Sequence, residues 1–187
     1  MQKIAELLYQ KTTLTVVVAA SAIFIFFMVA VLPPIASRLI EITGVSVSPD
    51  TSFIYNATDL YAMAEAYGDQ GRAYYIYSRF TFDLAWPIAY LFFLTSGISY
   101  LFKINGWVSR LRLINLLPLL AFLFDLFENT GASLVMFRYP VPTRVIAGLV
   151  PLFTFTKWIF VGLSFTALVA GLILLLAKKR PSDPVFP

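Results

Sequence analysis

Residues 113–137, LINLLPLLAFLFDLFENTGASLVMF, decide the fold of this chain. The stretch exceeds the roughly 20 apolar residues that a transmembrane helix needs, yet Asp125, Glu128 and Asn129 stand near its middle. An ionisable side chain at that depth costs about 2.5–3.5 kcal/mol on insertion scales. We therefore expect neighbouring helices to supply polar partners for these side chains.

The composition of the whole chain is that of a membrane protein. Hydrophobic residues make up 59% of the 187 residues and charged residues only 13%, whereas about 25% of a soluble domain is charged. Long apolar runs predict transmembrane helices at about 13–32, 80–102, 113–137 and 152–177. The predicted fold class is all-α, a four-transmembrane-helix bundle that forms a single integral membrane domain over residues 1–187, with a flexible tail at 179–187.

Missing residue types exclude several classes of chemistry. The chain has no cysteine and no histidine, which removes disulfides, thiolate chemistry, the commonest metal ligand and the usual general base at neutral pH. No metal site and no cofactor are therefore predicted. The net charge of +4 comes from basic residues beside the membrane segments, so no nucleic-acid partner is expected.

Basic residues near the helix ends predict the orientation, because cytoplasmic loops of membrane proteins are enriched in Lys and Arg. The first connection, residues 33–79, carries Asp50, Asp59, Glu65 and Asp69 and few basic residues, which assigns it to the outside. Both termini of this multi-pass protein are therefore predicted to be cytoplasmic. The basic residues behind this prediction are Lys3, Lys11, Lys103, Arg110, Arg112, Lys178, Lys179 and Arg180.

The segment 33–79 is predicted to be a long outer loop. The proline pair 33–34 stops or kinks the first helix, and an irregular cap is expected to follow. Residues 57–67, ATDLYAMAEAY, predict a short amphipathic helix that Asn56 or Thr58 caps.

This short helix is predicted to end at Gly68 and to lie flat on the outer membrane interface. Its apolar stripe consists of Leu60, Met63, Ala64 and Tyr67.

The polar residues of three predicted helices are expected to meet in one buried cluster in the outer half of the bundle. Asp125, Glu128 and Asn129 share one helical face because they are spaced i, i+3 and i+4. Arg79 and Asp83, four residues apart, lie at the outer end of the second helix, and the fourth helix supplies Lys157. The candidate ligand-binding residues are therefore Arg79, Asp83, Tyr90, Asp125, Glu128, Asn129 and Lys157, with Trp86 and Trp158 as further aromatic walls.

Three interpretations of this cluster remain open. Ion pairs of Lys157 with Glu128 and of Arg79 with Asp83 would simply hold the helices in register. A ligand pocket is the second interpretation, and a proton or ion path is the third, which the nearly apolar inner half disfavours. The carboxyls of Asp83, Asp125 and Glu128 outnumber the two basic groups, Lys157 and Arg79. Buried carboxyls without a basic partner tend to have raised pKa values, and such groups are more frequent in functional sites than elsewhere.

Three stretches carry a resemblance to a known group of proteins. They are residues 59–90, which contain FDLAWP, residues 124–129, FDLFEN, and residues 151–158, PLFTFTKW. The pairing of FDLxxP with DxxEN over about residues 45–175 resembles an uncharacterised group of small four-helix integral membrane proteins of prokaryotes, which have no assigned activity. The resemblance implies four membrane helices with a polar outer cluster and a place in the plasma membrane of a prokaryotic cell.

These observations support two main functional hypotheses. In the first, the protein binds a lipid-like or small molecule in the polar cluster, or serves as an accessory subunit, with membrane lipids, another membrane protein or a second copy of itself as partners. In the alternative, it is an intramembrane enzyme that acts on a lipid or isoprenoid. Asp125 or Glu128 would then be the catalytic acid or base, Asn129 would orient the substrate and Lys157 would stabilise charge. Plain structural membership of a larger complex is a third hypothesis.

Overall fold

The computed structural model describes residues 2–106 and 109–178, which are mostly helical and contain no strand. The predicted flexible tail, 179–187, lies outside the described residues. The helices are α1 (Gln2–Lys11), α2 (Leu14–Phe26), α3 (Leu32–Thr43), α4 (Ala57–Phe80), α5 (Phe82–Asn105), α6 (Leu117–Arg138) and α7 (Arg144–Lys178), with a π-helical turn at Phe27–Val31 and 3₁₀ segments at Pro49–Thr51 and Ser109–Leu116.

Three helical stretches are long and apolar enough to cross a membrane. They are Leu14–Thr43, Ala57–Asn105 and Arg144–Lys178. The helix α6 is less apolar than these three because its middle carries two carboxylates and an amide, all of them buried. The all-helical class and the membrane character predicted from the sequence are therefore confirmed.

Much of the segment 33–79 is helical, which corrects the prediction of a long outer loop with one short amphipathic helix. The first apolar helix passes through the π-helical turn and continues as α3 to Thr43. Pro33 and Pro34 lie in the first turn of α3, where a missing N–H costs little. Gly44, with a φ of 69°, ends α3 in the left-handed conformation that glycine adopts without strain. The connection without regular helix is thus limited to residues 44–56.

The helix α4 begins where the sequence predicts but extends further. The side chain of Asn56 accepts hydrogen bonds from the N–H groups of Thr58 and Asp59, and Asp59 bonds back to the N–H of Asn56 in a capping box. Gly68, with φ 60° and ψ 179°, is non-helical and separates two helical parts of α4 at a kink, so the first part ends at the glycine that the sequence predicts.

The predicted apolar stripe of α4 lies in the protein core and not at a membrane interface. The stripe packs with the buried Ala132, Val135 and Met136 of α6 and with Val150 of α7. Burial against two helices removes more apolar surface from water than an interfacial position would, which explains this difference. The stripe residues Leu60, Met63, Ala64 and Tyr67 are all buried.

The predicted polar faces of α6 and α7 face the interior of the bundle. Ala121 and Ala132, which flank the charged residues of α6, are completely buried. On α7, the predicted stripe of Thr154, Lys157, Ser164 and Gly171 is buried as well. Because the two helices pack along much of their length, their polar residues meet.

One end of the bundle collects both described chain ends and several basic side chains, and we call it the terminal end. The Lys103 ammonium donates to the carbonyl oxygens of Gln10 and Thr12 at 3.2 and 3.4 Å. The Lys178 ammonium donates to the Asn105 carbonyl at 2.7 Å. The opposite end, with residues 44–56 and the turn after α6, is called the loop end.

A tight contact between α6 and α7 gives the first prediction. A Cβ added at Gly131 would lie 2.7 Å from a Val150 methyl group, whereas one at Gly148 would meet nothing within 4 Å. Gly131→Leu should therefore lower the free energy of unfolding by about 1–3 kcal/mol through overpacking, and Gly148→Leu should not. Thermal unfolding of both variants in detergent measures this difference, and equal melting temperatures would contradict the packing.

Candidate functional site

The Lys157 ammonium lies at the centre of the polar cluster. Its Nζ is 2.6 Å from Oε2 of Glu128 and 3.1 Å from Oδ1 of Asp125, and it also donates a hydrogen bond to Oδ1 of Asp50. The lysine side chain is only 4% exposed. The ammonium donates one hydrogen bond to Asp50, and its contacts with Asp125 and Glu128 are ion pairs.

Asp50 completes this cluster, and the sequence analysis did not assign it there. It lies in the 3₁₀ turn Pro49–Thr51, and the indole N–H of Trp158 holds that turn by donating to the Asp50 carbonyl at 3.0 Å. Asp50 and Lys157 are 107 residues apart in the chain. No local sequence pattern predicts their contact. The several acidic residues in the connection between α3 and α4 are the one feature of the sequence that pointed to it.

Hydrogen bonds and an ion pair hold the connection between α3 and α4, residues 44–56, against the cluster. Burial alone would raise the pKa of Asp50, but the charges of Lys157 and Arg79 lower that pKa to about 2, so the carboxylate is ionised at neutral pH. A second tie joins the hydroxyls of Tyr55 and Thr154 at 2.8 Å. Burial raises the pKa of Tyr55, so this hydroxyl stays neutral.

Arg79 and Asp83 form the predicted pair at the loop end. They are in direct ion-pair contact across the break between α4 and α5, and both side chains are about 10% exposed or less. The Arg79 guanidinium is also 3.8 Å from Oδ2 of Asp50 and lies over the ring of Tyr75 at 4.6 Å. Asp50 therefore links this pair to the ammonium of Lys157.

Three carboxylates of the cluster have the spacing of a metal site, but a lysine already lies among them. Oxygen atoms of Asp50, Asp125 and Glu128 all lie within 4.8 Å of one another. The Lys157 ammonium is in ion-pair contact with all three. The cationic group of this cluster is thus a side chain of the protein itself.

Several buried polar atoms of the cluster have no hydrogen-bond partner within the described residues. Both oxygens of Glu128 lack a hydrogen bond, although one is within ion-pair distance of Lys157, which shows that this contact is poorly aligned. Buried polar atoms are usually satisfied, so such a concentration is unusual. The other unpartnered atoms beside the cluster are Asn129 Oδ1, Ser133 Oγ and the hydroxyl oxygens of Tyr75 and Tyr90.

A cavity of about 230 Å³ opens beside Lys157 and Asp125. Its apolar and aromatic walls come from α2, α5 and α7, and its polar part comes from the cluster. The lining residues are Phe24, Met28, Asp50, Trp86, Tyr90, Leu94, Asp125, Lys157, Trp158, Val161 and Phe165.

The structure divides the predicted site residues among three environments. Tyr90, Asp125 and Lys157 line this cavity. Arg79 and Asp83 line a smaller cavity of about 150 Å³ at the loop end, and Asp50 borders both. Glu128 and Asn129 are buried behind the cavity and line neither of these two spaces.

A larger groove of about 560 Å³ lies at the terminal end between α1, α2, α5 and α6. Its lining is almost entirely apolar, and Lys11 is its single ionisable residue. Because specific ligand sites combine apolar walls with a few convergent polar groups, the cavity beside Asp125 is the stronger candidate.

Together the fold and the site define a helical membrane protein with a buried ionic cluster and an adjoining cavity. No family model, curated protein or solved structure matches the chain significantly.

The dependence of three carboxylates on one ammonium gives the second prediction. Lys157→Met should lower the free energy of unfolding by about 3–5 kcal/mol, because it leaves buried charges uncompensated. The loss should shrink as the pH is lowered, since protonated carboxyls no longer need the ammonium. Denaturation of the variant in detergent at several pH values measures both effects.

Two further variants serve as controls for this prediction. Lys178→Met removes a lysine from the same helix at the terminal end and should be nearly neutral. Glu128→Gln should cost less than Lys157→Met, because Lys157 keeps Asp50 and Asp125. If Lys157→Met and Lys178→Met unfolded alike, the ammonium would not hold the cluster together.

Proposed function

We propose that this protein binds an amphiphilic small molecule, such as a lipid or lipid-like metabolite, within the membrane. The observation that carries the proposal is the cavity of about 230 Å³, which joins aromatic and aliphatic walls to the ionisable groups of Asp125 and Lys157. The apolar tail of such a molecule fits the aromatic and aliphatic walls, and its polar head fits the ionisable groups.

The cavity reaches the side of the bundle, which supports entry from the lipid phase. Met28 and Phe165 line it, and they are 46% and 36% exposed. Both lie on helices that are apolar enough to cross a membrane. An amphiphile would therefore slide in laterally and leave its tail against lipid.

We also propose four membrane spans, with α6 as the fourth span. The polar residues of α6 point inward and its outer positions Leu120, Leu123 and Phe127 are exposed and apolar. Basic residues at the terminal end favour a cytoplasmic location for both termini, in the plasma membrane of a prokaryotic cell. The cavity would then lie in the outer half of the membrane.

An intramembrane enzyme is the second candidate function. Asp125 shares the cavity with the unpartnered hydroxyl of Tyr90, which gives a carboxyl and a phenol as acid/base groups without histidine. Lys157 would stabilise developing charge. Glu128, the other catalytic candidate, lies outside the cavity lining and suits this role less well.

Filling the cavity gives the third prediction. Val161→Trp places a large ring in the cavity and should abolish an amphiphile that purifies with the wild-type protein. Val169→Trp, on the same helix but 51% exposed, is the matched control and should retain it. Native mass spectrometry of the three proteins measures the bound mass, and its survival in Val161→Trp would contradict the proposal.

The same measurement separates binding from catalysis. If Asp125→Asn carries a molecule whose mass differs from the wild-type ligand by a defined chemical group, the protein transforms its ligand. An unchanged ligand, bound more weakly, indicates binding alone.

Single-cysteine labelling gives the fourth prediction, on topology. The chain has no cysteine, so each introduced cysteine is the unique label site. Ile54→Cys, at a position 88% exposed at the loop end, should react with a membrane-impermeant maleimide on intact cells. Gln2→Cys should react only after permeabilisation, and the reverse pattern would overturn the proposed orientation.

A further inference from the structure

The charge of the cluster restricts the head group that the cavity can accept. Within the described residues, four carboxyls and two basic side chains make up the connected set of ion pairs. Two negative formal charges therefore remain unbalanced. The set consists of Asp50, Asp83, Asp125, Glu128, Arg79 and Lys157.

Both basic side chains are already paired with carboxylates of the protein. Lys157 is in ion-pair contact with three of them. Arg79 is engaged by Asp83 and Asp50 and lines the other cavity. A carboxylate or phosphate head would have to displace a carboxylate from Lys157 while approaching the remaining ones, and like charges repel.

The polar wall of the cavity instead offers acceptors. Asp50 and Asp125 present carboxylates, and the hydroxyl oxygen of Tyr90 has no partner although the residue is only 7% exposed. This buried hydroxyl without a partner among the described residues is a second observation, independent of the acidic residues, that favours a polar ligand here. A head with N–H donors would satisfy these oxygens.

The aromatic walls favour the same kind of head. Trp86 and Tyr90 meet edge to face with ring centroids 5.8 Å apart, and Trp158 already lies 5.3 Å from the Lys157 ammonium. Aromatic faces beside carboxylates attract ammonium groups, and cages of this composition recognise amines and quaternary ammonium ions. The walls of Phe24, Leu94 and Val161 leave room for part of an alkyl chain.

We infer that the cavity takes an amphiphile with a cationic amine head, whose N–H groups donate hydrogen bonds, on an apolar chain. The ammonium lies between Asp125 and the rings of Trp86, Tyr90 and Trp158, and the chain leaves past Met28 and Phe165 into lipid. This inference rests on the proposed binding function and names the chemical class of its ligand.

Chain-matched probes test the inference. The full-length protein in lipid nanodiscs is incubated with equimolar dodecylamine, dodecanol and dodecanoate, and native mass spectrometry reports the relative occupancies. Dodecylamine should exceed each of the others by about tenfold or more, the range of one desolvated cation–π or charge-assisted contact. A preference for dodecanoate or dodecanol would overturn the inference.

Two variants locate the selectivity. Asp125→Asn should reduce the preference for dodecylamine over dodecanol about tenfold, and Tyr90→Phe, which keeps the ring and its volume, should reduce it less. Glu65→Gln removes one negative charge from the exposed face of α4 and should leave the preference unchanged. If Glu65→Gln acted like Asp125→Asn, general surface charge would explain the selectivity and the inference would fail.

Failure of this inference is distinguishable from failure of the proposed function. If all three probes bind equally and Val161→Trp removes them all, the cavity binds amphiphiles but does not select cations. If no probe binds, or if Val161→Trp leaves binding intact, the binding function itself is wrong.

Discussion

The interaction on which the rest of the structure depends is the contact of one buried ammonium with three carboxylates. Lys157 of α7 joins Asp125 and Glu128 of α6 to Asp50 of the connection at the loop end. Two unit charges 4 Å apart attract by about 4 kcal/mol at an effective dielectric constant near 20, and the carboxylates repel one another on the same scale. The arrangement is stable only while the ammonium remains, so one side chain fixes the register of two helices and the position of a loop.

This dependence explains why the loop end is ordered without regular helix. The turn Pro49–Thr51 is held by the Asp50 carboxylate and by the Trp158 indole N–H, and the Tyr55 hydroxyl holds the chain that follows it. Asp50 borders both cavities of the loop end. A change in the charge of Lys157 therefore acts on Asp50, which lines both cavities.

The sequence predicted the helical class, the membrane character and the inward faces of α6 and α7, because these depend on local hydrophobicity and on the 3.6-residue period. It also predicted that the polar residues of three helices converge. Two features were not predictable from it. The continuation of α2 into α3 depends on a π-helical turn that positions Pro33 and Pro34 where a missing N–H is harmless. The place of Asp50 depends on contacts across 107 residues that no pattern records.

The predicted position of the α4 stripe was wrong for a related physical reason. An amphipathic helix beside a membrane has two places for its apolar face, the interface and the protein core. Periodicity identifies the face but does not say which place it takes. Here Leu60 and Ala64 are completely buried, so the apolar face of α4 packs in the protein core. The helix α4 thereby covers the polar cluster.

The composition of the cluster argues against a purely structural role. A single carboxylate would suffice to hold α7 against α6, and each further carboxylate adds desolvation and mutual repulsion. Asp125 and Tyr90 moreover line a cavity, and within the described residues the Tyr90 hydroxyl has no hydrogen-bond partner. An arrangement that costs stability beside an open space is typical of a binding or catalytic site. A cationic head group in that space would supply the missing positive charge and the missing hydrogen-bond donors at once.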